Sequence, residues 1–246
     1  MTLSVESMIV ISANAFTAIV AAGIMLLALW QAPYRRTNQA LTLMMFCLVL
    51  FSLLNGFSRV LNDFNSIPVR PFWYMTLGFY GLVVQSSFVF TVIFTQSTET
   101  RLARWGTLAL IMTGSLTVFL INFGGAIKDI VPDYDGSYTL IYTSSALPIF
   151  SSVFLAASMS LVVSIHAKGR GLLLRPALIV LLVGAISSYF RQVIGPIPIN
   201  SIALAVTALI IGRAVLKDQL FNPLAELNAQ LQQKNRELSD VTQLKN

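Results

Sequence analysis

Two arginines stand where a charge has to be compensated. Arg59 falls near the end of an apolar run, 40–61, and Arg191 lies within Ser187-Ser188-Tyr189-Phe190-Arg191-Gln192, at the end of another. Charge in hydrocarbon is costly, so an arginine there either serves a site or reaches out to lipid phosphates. Its planar fork of N–H donors suits a carboxylate or phosphate held by two parallel bonds. Arg59 has a plainer alternative, pairing with Asp63 one helical turn away, whereas Arg191 has no acid within a turn. Gln85, followed by Ser86 and Ser87, sits deep in the run 72–94, and Asn55 lies in the run before it. With Tyr80, Tyr189 and Phe190 these side chains would line a ligand cavity. The competing reading is hydrogen-bond glue between helices, worth about 0.6 kcal/mol per contact. Phe72-Trp73-Tyr74 reads as an interfacial aromatic belt, and Asp129, Asp133 and Asp135 as a solvated loop.

No catalytic constellation accompanies these residues. One histidine, His166, and one cysteine, Cys47, cannot assemble a zinc site or an intrachain disulfide. No Gly-rich phosphate loop follows a strand, and no Ser-His-Asp set can be built. The only lysine in 139–216 is Lys168, in a connection, so a Schiff-base cofactor has no attachment point. The expectation is a protein with no catalytic residue, no metal and no cofactor.

The elements that must position the polar residues follow from composition. Of 246 residues, 56% are hydrophobic and 11% charged, where soluble domains carry about 25% charged residues. Mean hydropathy is +0.76. A helix crosses a bilayer with roughly 20 apolar residues, and seven runs qualify: 8–30, 40–61, 72–94, 105–122, 139–164, 177–194 and 202–216. None alternates in the manner of a barrel strand. The first run has no basic leader and is too long for a cleavable signal peptide. Connections one, three and five, and the end of run seven with the residue after it, hold Arg35, Arg36, Arg101, Arg104, Lys168, Arg170, Arg175, Arg213 and Lys217; the others hold only Arg70 and Lys128. This bias places the amino terminus outside and the carboxyl terminus in the cytoplasm. The net charge of +6 is thereby explained by topology, and nucleic acid is not an expected partner. The fold class expected is an all-α membrane protein, a bundle of seven transmembrane helices followed by a cytoplasmic coiled-coil helix.

After Leu216 the chain becomes polar. Leu220, Leu224, Leu227, Leu231, Leu238 and Val241 fall at steps of four and three, with Lys234 at one seam position, a heptad pattern just long enough for a coiled coil. A surface-lying amphipathic helix fits less well, because the polar face mixes Glu, Gln, Asn and Lys. Asn222 is a good helix cap and Pro223 suits a first helical turn, so the pair reads as a hinge. The organisation expected is a bundle over 1–218 and a juxtamembrane signalling helix over 219–246, paired as a parallel homodimer.

Seven membrane helices, the Asn222-Pro223 hinge and the Leu/Asn/Gln/Glu-rich helix resemble the amino-terminal sensor region of bacterial membrane histidine kinases. Residues 238–246 resemble the stretch just before that family's phosphoacceptor helix; the His-Glu-Leu-Arg-Thr-Pro box that would follow is absent. The resemblance implies a multi-pass protein of the bacterial cytoplasmic membrane that binds an unidentified small molecule. It further implies signalling through Asn222, Pro223, Leu224, Leu227, Leu231 and Leu238, and engagement of a response regulator only through a kinase half absent from this chain. The alternative functions are a small transporter and a membrane scaffold with a partner-recruiting tail.

Overall fold

The computed structural model describes residues 5–64, 70–96, 125, 127–132, 138–167, 169–189 and 199–218, together with Arg101, Arg104 and Leu108. Six long helices are present among them: α1 Val5–Gln31, α2 Arg36–Phe64, α3 Arg70–Phe94, α4 Leu147–His166, α5 Arg170–Tyr189 and α6 Ile199–Leu216. All six are long and apolar enough to cross a membrane, and the chain is a multi-pass helical membrane protein. Apart from Leu108, the run 105–122 lies outside the described residues, as does the tail 219–246.

Each helix packs on the next in sequence, and α6 packs back on α1, so the described helices form a closed ring. The most enclosed is α3, where Val83, Val84, Phe88 and Phe90 are fully buried; Met45, Leu174, Leu178, Ala208 and Ile211 complete the core from α2, α5 and α6. Phe16, Ile19, Trp30, Phe46, Val183 and Leu209 are exposed around the rim, an apolar exterior suited to lipid rather than water. Small residues allow the tightest approach. A Cβ on Gly184 of α5 would stand 2.7 Å from the Cβ of Ala203 of α6, and Thr207 of α6 donates to the Ala177 carbonyl of α5 at 3.2 Å.

Two elements correct the reading of the sequence. The expectation of an all-α chain gives way to a nearly all-helical one, because an antiparallel hairpin, β1 Ile127–Pro132 with β2 Tyr138–Tyr142, precedes α4. The run 139–164 therefore begins as a strand, turns through Ser144–Ala146, and becomes helix only at Leu147, with Pro148 in the first turn. The β-branched and aromatic residues Ile127, Ile130, Val131, Tyr138, Thr139, Ile141 and Tyr142 favour the extended form. A two-stranded hairpin is marginal alone; here the Tyr74 hydroxyl of α3 donates to the Ile127 carbonyl at 3.1 Å, and the Tyr142 ring meets Phe150 of α4 edge-on at 4.9 Å. The second correction concerns the run 177–194. Its helix starts at Arg170 and passes through Pro176, at the loss of one backbone hydrogen bond.

The ring has two distinct ends. The hairpin end holds the starts of α1, α3, α4 and α6. At the basic end lie Arg35, Arg36, Arg170, Arg175, Arg213 and Lys217. There Gly169, with φ +69°, separates α4 from α5, and Arg175 donates to the Ile165 carbonyl at 3.1 Å, capping the end of α4.

Candidate functional site

Polar side chains of α1, α2 and α6 meet toward the hairpin end. Asn14 lies nine residues after Val5, and Asn55 nine before Phe64, so each is about 14 Å from that end of its helix at about 1.5 Å per residue. The antiparallel pair therefore meets at one level. Asn14 Nδ2 donates to the Val10 carbonyl of its own helix at 2.8 Å. Its Oδ1 accepts twice, from Asn55 Nδ2 at 3.2 Å and from Ser201 Oγ at 3.4 Å. Thr17 Oγ1 donates to Ala13 O at 2.7 Å and lies 3.5 Å from the Ser201 carbonyl. Asn14, Thr17 and Ser201 are buried, and a carbonyl with both lone pairs engaged makes Asn14 the joint of three helices.

One turn beyond Asn55 on α2, Arg59 is 3% exposed. Its guanidinium carbon lies 5.3 Å from the ring centroid of Trp73 on α3, within cation–π range. Trp73 is itself 4% exposed, so the expected interfacial belt is broken at its middle member, which turns into the bundle. Its indole N–H meets no acceptor among the described residues. Beside this pair, Ser58 Oγ and Thr76 Oγ1 lie 3.5 Å apart, each also donating to its own helix, to Leu54 O and Phe72 O. The expected partner of Arg59, Asp63, has its side chain outside the described set, so the Trp73 contact neither supports nor replaces that pairing.

Gln85 does not join the asparagines. It lies fifteen residues into α3, about 22 Å from the start of that helix and deeper than Asn55. It is 7% exposed, and its Nε2 has no acceptor among the described residues. Ser86 and Ser87 bond back to Val83 O and Val84 O at 3.0 and 2.6 Å, so those hydroxyls are spent within α3. Tyr80 is buried, its ring 5.6 Å from Phe51 of α2, one turn deeper than Asn55. Tyr189 closes α5, its side chain outside the described set, and Arg191, Asn222, Pro223, Leu224, Leu227, Leu231 and Leu238 lie outside the described residues.

The structure thus brings Asn55 into one cluster and Arg59 into an adjoining one, with Tyr80 a turn deeper against Phe51 and Gln85 apart. Sequence reasoning missed Asn14, Thr17, Ser201 and Trp73. Asn14 carried a usable signal, as the lone amide within the first apolar run. At the basic end, Arg170 Nε reaches Asp218 Oδ1 at 2.9 Å, tying the start of α5 to the residues that follow α6. Comparisons with protein-family models, curated proteins and solved structures found no match.

Proposed function

We propose that this chain is the membrane-embedded sensor region of a two-component histidine kinase, relaying a stimulus at the hairpin end through α6 to a cytoplasmic output domain. The observation that carries the reading is the attachment of α6 at both ends. Ser201 ties its start to α1, and Asp218, just beyond its end, is held by Arg170 of α5. A change of packing near Asn14 and Asn55 therefore moves the helix that leads directly into the Asn222-Pro223 hinge. A stimulus drives this only through its different affinity for the two arrangements.

Orientation follows the positive-inside bias: the basic end faces the cytoplasm and the hairpin end faces out. A seventh crossing over 105–122 is supported by the ends it has to join. Phe94 closes α3 at the basic end, while Ile127 sits beside Tyr74 at the hairpin end. Beyond the membrane, the heptad leucines pair two copies, and a change in their register switches the output.

The test is to read the gene past the codon for Asn246. The expected result is an open frame reaching a His-Glu-Leu-Arg-Thr-Pro type box within about a dozen codons, the spacing that a short heptad stalk leaves. A stop codon directly after Asn246 overturns the proposal.

A further inference from the structure

We propose that Arg213 and Lys217, at the end of α6, form a docking site for the headgroup of an anionic phospholipid in the leaflet at the basic end. Ile202, Val206, Leu209, Arg213 and Lys217 are all exposed. Their steps of four, three, four and four put them on one face of the helix. The first three are large and apolar, so this face meets lipid. It ends in two cations.

Both cations are uncommitted. Among the described residues, neither Arg213 nor Lys217 has a hydrogen-bond or ion-pair partner. Their neighbours differ. Arg175 is spent on the Ser164 and Ile165 carbonyls. Asp218, the acid beside Lys217, is held by Arg170 of α5 at 2.9 Å, which leaves the charge of the pair uncancelled. At Lys217 and Asp218 the chain widens into a π turn, a form that recurs at functional sites.

Depth and length fix the occupant. Arg213 and Lys217 lie fourteen and eighteen residues past Ile199, about 21 and 27 Å along a helix that crosses a core about 30 Å thick. Residues one turn apart have Cβ atoms about 5–6 Å apart, and long basic chains snorkel toward phosphates, so one phosphodiester can meet both. The apolar part of the face, from Leu209 back to Ile202, runs about 6–16 Å from Arg213, the depth that the acyl chains of one leaflet fill. The exposed Trp30 of α1 marks the same level. Helix α1 runs parallel to α6, with Asn14 at Ser201 and Ile24 against Gly212, and Trp rings settle among headgroups. A free phosphate would meet the cations and leave the apolar face unused. Lipid binding needs no output domain, so this proposal and the sensor reading can each fail alone.

The test uses the full chain, delipidated in dodecyl maltoside and held on scintillation beads, with tritiated phosphatidylglycerol or phosphatidylcholine as ligand. Phosphatidylglycerol is expected to bind at least about tenfold more tightly. Arg213→Gln with Lys217→Gln should weaken it by about thirtyfold, as two basic residues at an anionic surface imply. Arg35→Gln with Arg36→Gln removes the same charge from the turn between α1 and α2 and should cost far less. Arg213→Lys should keep most of the binding, since lysine also holds a phosphate as a point charge. Equal affinity for the two lipids in the parent, or equal losses in the two double variants, overturns the proposal. So does displacement of the lipid by inorganic phosphate, measured against chloride at equal ionic strength.

Discussion

The Ser201 hydroxyl of α6 donates a 3.4 Å hydrogen bond to Asn14 Oδ1 of α1, joining residues 187 positions apart. The same oxygen takes the Asn55 amide of α2, so one carbonyl closes the helix ring. Hydrogen bonds between helices in lipid average about 0.6 and reach about 1.7 kcal/mol. Asn14→Leu removes the acceptor for both and is expected to lower stability by about 1–2 kcal/mol on that scale. Ser201→Ala removes one and should cost about half as much. Unfolding in mixed micelles, followed by circular dichroism, measures both.

Two glycines should respond oppositely to alanine. A Cβ on Gly171 would run into the Ser164 carbonyl oxygen, which is backbone and cannot step aside. Gly171→Ala is expected to cost about 1–3 kcal/mol, as overpacking does. Around Gly23 nothing lies within 4 Å, so Gly23→Ala should be neutral or stabilising by up to about 1 kcal/mol. Paired thermal melts of the two variants check the contrast.

Gln85→Leu should not weaken the fold. It replaces an amide whose Nε2 lacks an acceptor among the described residues with an apolar group of similar size. Relief of a buried unmet donor is expected to raise stability by about 1 kcal/mol. A loss of that size in the same unfolding assay would show instead that the amide is engaged.

Arg170 and Asp218 form an ion pair with unequal exposure, 43% and 11% of their side chains. For so exposed an arginine the pair is worth no more than about 1 kcal/mol after screening. Asp218→Asn should therefore lower stability slightly at low salt and not at all at high salt. The charge-reversed double variant, Arg170→Asp with Asp218→Arg, should restore the low-salt value.

If the heptad leucines pair two copies, Leu227→Cys in membranes should form an intermolecular disulfide under mild oxidation, read on a non-reducing gel. Leu227→Asp with Leu231→Asp should abolish response to the stimulus while leaving the bundle folded. A retained response would dismiss the coiled-coil relay.

The six described helices were legible because length and apolarity are what a bilayer demands, and Met45, Phe88 or Ile211 declares itself without knowledge of its neighbours. The hairpin was not. Thr139–Tyr142 merges by composition with the apolar run behind it, and Asp129 and Pro132 look like loop residues until the partner strand is known. In the site, Asn55 and Arg59 stood out as polar groups in apolar runs, and Asn14 qualified on the same ground. The inward turn of Trp73 was hidden, because it depends on Arg59 across the interface with α2. Ser201 was hidden for a similar reason: a serine at a helix start looks ordinary until α6 is known to return to α1.

The closing of the ring also dictates an order of assembly during synthesis. Asn14 enters the membrane with the first helix, and its partner Asn55 follows only 41 residues behind. Ser201 emerges 187 residues behind Asn14. Newborn α1 and α2 can shelter the amide as a hairpin in lipid from the outset, whereas the seam between α1 and α6 has to wait unsealed until α6 is inserted. Damage to that seam would leave the ring open in the membrane, on the side where α1 and α6 meet.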